Sequence, residues 1–196
     1  MSSASRLVAP LALVSLILVP GCTALQELAA LRTVTFAFAN VSDVRVAGIR
    51  IGAQSSYSSL GITDAARLGA AIVANEVPLE FIAHVSATNP PENTVSARMV
   101  DLGWTLFIED RQELAGQLGG AVAIAPGATA DVPLSVRLDL LRLGSGGARD
   151  LFDLAMAIAG YGTLQKDLRL ELVPTIETSI GPIRYPSPVV VRRAAR

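Results

Sequence analysis

The sequence contains very few of the residue types on which catalytic and metal sites depend. Its 196 residues include one cysteine, Cys22, and one histidine, His84. One cysteine excludes an intramolecular disulfide, and one histidine excludes a metal site built from several histidines. His84 also falls on the outward face of a predicted strand, where we expect it to lack partners, so we predict that no histidine-based catalytic triad forms. We therefore predict that the protein is not an enzyme, has no catalytic residues and holds no metal or cofactor.

Other signatures of catalysis and of nucleic-acid binding are also missing. The sequence has no Gly-x-Ser-x-Gly elbow and no phosphate-binding loop, and the run 144–147 lacks the rest of a dinucleotide fingerprint. The net charge is -1 and only 17% of the residues are charged, so we predict no nucleic-acid partner. Hydrophobic residues make up 51% of the chain, which indicates a folded domain with a core.

The N-terminus predicts export and lipid attachment. Residues 1–21 combine a short polar start, an apolar run and a small residue, which is the pattern of a secretory signal. The stretch Leu18-Val19-Pro20-Gly21-Cys22 resembles the lipobox of bacterial lipoproteins, which implies that Cys22 is acylated. Thr23 after the cysteine resembles the sorting pattern of the outer membrane. We therefore expect a lipid-anchored protein on the periplasmic face of the outer membrane of a bacterial envelope. The alternative is an ordinary cleaved signal followed by an incidental cysteine.

A short tether, residues 22–32, separates this anchor from the rest of the chain. The ten residues that follow Cys22 in this tether reach about 33 Å at most when extended, so we expect the domain to stay close to the membrane surface. Leu25, Leu28 and Leu31 share one side if the tether is helical. We expect this row to pack against the domain, and contact with lipid is the alternative. The domain itself spans 33–191, and a basic tail follows at 192–196.

Alternating apolar and polar residues predict strands throughout the domain. The predicted strands are 34–38, 44–51 with a bulge at Gly48, 79–89, 99–109, 114–125, 132–140, 168–172 and 183–191. Two short helices are predicted at 63–74, with Thr63 as its cap, and at 149–159. Because each strand has one buried face, we predict a mainly β fold. The expected architecture is an antiparallel, immunoglobulin- or fibronectin-like β-sandwich of about seven to eight strands with two short helices.

With these segments placed, the chain resembles the late embryogenesis abundant type 2 domain, also called the water stress and hypersensitive response (WHy) domain. The resemblance covers 33–191 and rests on the strand that ends at Asn89-Pro90, the turn at Pro126-Gly127 and the closing segment with Tyr185-Pro186. It implies a single sandwich domain connected with desiccation and stress tolerance, often tethered to a membrane. Related domains have been proposed to bind or move lipids. The chain departs from the family in the helix-bearing insertion 53–78.

Two functions remain open at this stage. The first is non-enzymatic binding of a lipid or another apolar ligand, or protection of envelope components under stress. The alternative is a scaffold or adaptor lipoprotein that docks another envelope protein. Asn89 and Pro90 are the family motif, and we interpret Asn89 as a structural residue that holds the end of the strand. A cavity between the sheets would favour the ligand, and a filled core would favour the scaffold.

Overall fold

The computed structural model describes residue 29 and residues 33–193, apart from 109, 145, 162–167 and 179. The predictions for the signal 1–21, for Cys22 and for the leucine row of the tether lie outside these residues. The described part contains nine strands and three α-helices. They are β1 (Thr35–Val46), β2 (Ile49–Arg50), α1 (Ile62–Val73), β3 (Pro78–Thr88), β4 (Ala97–Ile108), β5 (Arg111–Ile124), β6 (Thr129–Asp139), α2 (Leu140–Leu143), α3 (Ala148–Ala159), β7 (Leu168–Thr178), β8 (Gly181–Arg184) and β9 (Val189–Arg193).

The strands form two antiparallel sheets. The first has the order β2-β1-β3-β6, and the second has the order β5-β4-β7, with β8 and β9 both paired to the free edge of β7. Strand β1 contacts β9, and β5 contacts β6, so the sheets meet along both edges. The predicted mainly β, antiparallel sandwich is confirmed.

The core lies between the two sheets and is supplied by alternate residues of each strand. Along β3, every second residue from Leu79 to Ala87 is buried, and the residues between them are partly exposed. Strands β4, β6 and β7 follow the same alternation. A strand places successive side chains on opposite faces, so each strand contributes one row to the core. The burial pattern therefore follows directly from the sequence alternation.

The sandwich has two ends that differ in what covers them. At one end, Val46 pairs with Leu79 and Leu79 pairs with Leu138, and α3 packs against β1 nearby. We call this the helix-capped end. At the other end, Thr88 pairs with both Thr35 and Thr129 and is followed by the Asn-Pro turn. We call this the Asn-Pro end.

The first part of the chain differs from the prediction. One continuous strand, β1, replaces the predicted strand 34–38 and the turn after it, and its register shifts between Ser42 and Arg45. The predicted bulge at Gly48 is wrong, because Ala47 and Gly48 form a tight turn between β1 and β2. Both residues have positive φ, 48° and 77°, as a two-residue hairpin turn requires. The shift in apolar phase therefore marks a reversal of the chain.

The helices agree with the prediction except at their starts. Helix α1 begins at Ile62 after Gly61, so Thr63 is not its cap. Asn75 follows its end with φ 55°, and Gly160 follows α3 with φ 89°, as expected for residues that terminate helices. Helix α2 was not predicted. Asp139 starts it by accepting the Leu141 N–H at 3.1 Å.

The closing segment 183–191 forms two strands where one was predicted. Strands β8 and β9 pair with different halves of β7 and are separated by a stretch that contains Pro186 and Pro188. Proline has no N–H to donate to a neighbouring strand, so pairing stops there.

Gly116 makes room for the largest side chain of the core. It pairs with Trp104, and a Cβ atom at Gly116 would lie 2.6 Å from the indole Cε2 atom. Gly119, on the same strand, has no such neighbour within 4 Å. The glycine at 116 is therefore required by packing.

We predict that Gly116→Ala lowers the free energy of unfolding by about 1–3 kcal/mol, because the indole must shift to admit the methyl group. Gly119→Ala is the matched control and should change it by less than about 0.5 kcal/mol. Urea denaturation followed by Trp104 fluorescence measures both. Equal destabilisation by the two variants would contradict the packing argument.

Candidate functional site

Asn89 is fully buried at the end of β3. Its side-chain amide donates to the carbonyl oxygens of Ile124, at 2.8 Å, and Val95, at 3.3 Å, and its side-chain oxygen accepts from Asn93. Its backbone N–H donates to the carbonyl of Ala128 at 2.9 Å. These contacts join the Asn-Pro turn to the end of β5, and all of them are made within the protein.

The chain enters the domain from the tether at this same end. The Thr33 hydroxyl and the Asn93 amide are hydrogen-bonded, at 2.7 Å from Asn93 Nδ2. Asn93 in turn contacts Asn89. The tether is therefore attached at the Asn-Pro end, on the side opposite the helix cap.

A cavity of about 40 Å³ lies between the sheets at the helix-capped end. Residues from both sheets and from α3 line it, and all of them are apolar. They are Phe38, Val41, Phe81, Ala83, Leu106, Ile108, Val136, Leu138, Ile158, Leu168, Leu170 and Val191. A cavity without polar groups offers no hydrogen bond to water, so it can hold only apolar atoms favourably.

The cavity follows from looser packing at this end of the core. Its wall includes Phe81 and Leu170, which are 7% and 8% exposed, whereas Val85 and Leu172 further along the same strands are 0% exposed. At about 40 Å³ it has room for about three water-sized groups. Typical ligand pockets are about 300–1,000 Å³. The core is thus incompletely filled at the helix-capped end.

The insertion 53–78 packs on the helix that caps this cavity. The Tyr57 ring meets Phe152 of α3 edge to face, with centroids 6.3 Å apart. Helix α1 buries Leu68 completely. Its opposite side is apolar and open to solvent, since Ile62 is 91% and Val73 is 89% exposed. The insertion thus supports the cap and also presents an exposed apolar helix face.

His84 has two hydrogen-bond partners among the described residues, which corrects the prediction that it has none. The Ser42 Oγ atom lies 2.8 Å from His84 Nε2, and the Asp131 Oδ2 atom lies 2.8 Å from His84 Nδ1. The three residues come from β1, β3 and β6, three adjacent strands of the first sheet. The prediction that His84 faces outward is right, and the conclusion that it lacks partners is wrong.

The register explains why the sequence did not reveal this cluster. His84 pairs directly with Asn40 on β1 and with Pro133 on β6, while Ser42 and Asp131 sit diagonally from it. Diagonal neighbours on one sheet face are close enough for side chains of this size to touch. The signal in the sequence was only that each residue occupies an outward position.

A shallow depression of about 250 Å³ adjoins this cluster on the same face. Ile82, which pairs with Ser42, and Asp43, which follows Ser42, both border it. Arg45 and Arg137 also border it, and each forms an ion pair, Arg45 with Asp43 at 3.4 Å and Arg137 with Glu80. The depression therefore combines three apolar residues, Phe81, Ile82 and Val136, with paired charges.

Two further features of the described residues bear on function. No group of three or more histidine, cysteine, aspartate or glutamate side chains among them is arranged to bind a metal ion. None of the helices in the described part of the chain has the length and apolar character needed to cross a bilayer. Cys22 lies outside the described residues.

Comparisons with known proteins give matches only to solved structures. No family model and no curated protein matches the sequence. A protein from Archaeoglobus fulgidus matches at 14% identity and a TM-score of 0.37, over 81% of this chain and 98% of its own. An Arabidopsis thaliana protein matches at 17% identity and a TM-score of 0.39, over 60% of this chain and 68% of its own. A protein described as late embryogenesis abundant matches at 12% identity and a TM-score of 0.39, over 90% of this chain and 80% of its own.

A late embryogenesis abundant protein is thus among the structures to which this chain is similar, in agreement with the resemblance predicted from the sequence. At these identities and TM-scores the matches bring no activity, ligand or partner to this chain. Any assignment of function rests on the apolar cavity and on the cluster of Ser42, His84 and Asp131, which we call the outer-face cluster.

Proposed function

We propose that this protein is a lipid-anchored, WHy-like domain of the bacterial cell envelope that binds an apolar chain between its sheets and serves in stress or desiccation tolerance. The observation that carries the binding function is the cavity at the helix-capped end, whose lining is entirely apolar. The ligand class that suits such a wall is an acyl chain, because its methylene groups need no hydrogen bonds. This binding requires no catalytic step, metal or cofactor.

The cavity must widen to admit an acyl chain, and the cap is the element placed to allow it. Ile158 of α3 belongs to the cavity wall, and Phe152 one and a half turns earlier packs on Tyr57 of the insertion. A shift of α3 would therefore enlarge the cavity without breaking the ladders of either sheet. In this proposal the insertion regulates how readily the cap moves.

The anchor leaves the cavity within reach of the membrane. The tether joins the domain at the Asn-Pro end, and the 11 residues of β3 span about 36 Å to the opposite end. The tether reaches about 33 Å when extended. The domain can therefore lie along the periplasmic face of the outer membrane with its helix-capped end close to lipid.

We predict that the unacylated Cys22→Ser protein binds one equivalent of hexadecanoic acid, and that Ala83→Val weakens this binding about tenfold. Valine adds two methyl groups to the cavity wall, which take the place of the last carbons of the chain, at about 0.8 kcal/mol each. Native mass spectrometry and titration calorimetry measure the stoichiometry and affinity.

The control is Ala87→Val, a fully buried position on the same strand outside the cavity. It should leave affinity unchanged and lower the free energy of unfolding by about 1–3 kcal/mol through overpacking. Ala83→Val should not destabilise the fold, because it fills empty space. The cavity is not a ligand site if the Cys22→Ser protein never carries the fatty acid. The same conclusion follows if adding Ala83→Val to that protein leaves its affinity unchanged.

For the anchor, we predict that the wild-type protein takes up labelled palmitate and fractionates with the outer membrane, and that Cys22→Ser does neither. Thr23→Asp is the control, since it should keep the acyl label and move the protein to the inner membrane. Membrane flotation and in-gel detection of the label are the measurements. A Cys22→Ser protein that still floats, beside an unlabelled wild type, would rule out lipid attachment at this cysteine.

Docking of another envelope protein is the second candidate function, and the exposed apolar face of α1 favours it. We predict that a photo-crosslinking residue at Arg67 captures one defined envelope protein, and that changing Ile62 and Val73 to glutamate abolishes the product. The control places the same crosslinker at the exposed Thr129, at the Asn-Pro end. Capture that persists in the glutamate variant, or no product in cells, would exclude α1 as the docking face.

A further inference from the structure

The cluster of Ser42, His84 and Asp131 lies outside the apolar cavity and needs an explanation of its own. A carboxylate can only accept hydrogen bonds, so the proton on the imidazole of neutral His84 must sit on Nδ1, facing Asp131. Nε2 then carries a lone pair, 2.8 Å from the Ser42 hydroxyl, and accepts its proton. This is the tautomer and the order of contacts by which a histidine activates a serine.

The cluster is also accessible and lies beside a place for a small molecule. The side chain of His84 is 22% exposed and that of Asp131 is 56% exposed. The depression is bordered by Asp43, which follows Ser42 in the chain, and by Ile82, which pairs with Ser42, although Ser42 itself is not part of its wall; it measures about 250 Å³. That is slightly below the volume of typical ligand pockets, about 300–1,000 Å³. A molecule bound there would be small and would lie beside the residues that flank Ser42.

We propose that Ser42, His84 and Asp131 form a nucleophilic triad that hydrolyses small carboxylic esters bound in this depression. This activity goes beyond the binding of an apolar chain and does not depend on it. Ser42 is the nucleophile and His84 is the general base. Asp131 is a positioning residue, which holds the imidazole in the tautomer that accepts the serine proton.

The reaction balances with water as the only other reactant. The Ser42 oxygen bonds to the carbonyl carbon as its proton passes to His84 Nε2, and the carbonyl π electrons move to the oxygen. When that oxygen re-forms the carbonyl, the bond to the alcohol breaks, and the alcohol leaves with the proton from His84. Water then attacks the acyl-Ser42 ester in the same way, with His84 again taking and returning the proton. The carboxylic acid leaves, and Ser42 is restored.

The charges that border the depression suit this chemistry. Arg45 lies on the same face of β1 as Ser42, at the position opposite Glu80 of β3 in the strand register. Arg137 lies on β6, on the other side of β3. Negative charge develops on the carbonyl oxygen during attack, and nearby guanidinium groups stabilise such charge. Both arginines are held in place by carboxylates, which limits their movement.

The test is covalent labelling of the full-length protein with diisopropyl fluorophosphate, with the labelled residue identified by peptide mass spectrometry. We expect one adduct, on Ser42, and none in Ser42→Ala. His84→Gln should slow labelling at least about 100-fold, which is the lower range of general-base catalysis. Asp131→Asn should slow labelling and Asp131→Glu should restore part of the rate. A purely structural hydrogen bond would not produce this pattern.

Ser135→Ala is the matched control, because Ser135 borders the same depression on β6. Its labelling rate and site should equal those of wild type. Urea denaturation of each variant checks that the fold is kept. If His84→Gln does not fold, Asp131→Asn still tests the triad, because Asp131 is exposed. Wild type should also release p-nitrophenol from p-nitrophenyl acetate faster than Ser42→Ala. The triad would be overturned if no adduct formed on Ser42, or if Ser135 were labelled equally. It would also be overturned if His84→Gln and Asp131→Asn both left the rate of Ser42 labelling unchanged.

Discussion

Strand β3 lies between β1 and β6 in the first sheet. Its alternating side chains contribute both to the apolar cavity and to the cluster of Ser42, His84 and Asp131. Its inner row, from Leu79 to Ala87, packs against the second sheet. Its outer row contains Ile82 and His84, which belong to the depression and to the hydroxyl-imidazole-carboxylate cluster. Because a strand has a period of two, the side chains of its inner row and those of its outer row point to opposite faces of the sheet. The cavity and the outer-face cluster are therefore separate sites that share one backbone.

The two ends of the sandwich use this backbone differently. At the Asn-Pro end, the buried amide of Asn89 joins the strand to the neighbouring sheet, and the inner side chains of Val85 and Ala87 are fully buried. A buried amide without partners would be costly, so this end has little freedom to change. At the helix-capped end, Ile158 of α3 forms part of the cavity wall together with residues of both sheets. The cavity lies where these three layers meet, and the proposed ligand site depends on it.

The insertion 53–78 adds a second layer to the helix-capped end. Tyr57 packs on Phe152, and α1 covers the same region through Leu68. The exposed apolar side of α1 costs free energy in water unless something covers it. The insertion thus places the cap and an exposed apolar face in one unit, next to a cavity between the sheets that is lined entirely by apolar side chains. Binding at either could affect the other through α3.

Apolar periodicity and turn residues in the sequence by themselves determined most of the strands, the two longer helices, their approximate limits and the sandwich class. Local rules are sufficient for these, because period-two burial and the effects of proline and glycine act over a few residues. The cavity and the contacts of His84 were decided only by the tertiary structure. The cavity depends on how three layers meet, and the Ser42-His84-Asp131 cluster depends on the register of three strands, including the shift between Ser42 and Arg45. Register is set by the packing of the whole sheet. His84 therefore contacts Ser42, 42 positions away, and Asp131, 47 positions away, although no local sequence pattern predicts these contacts.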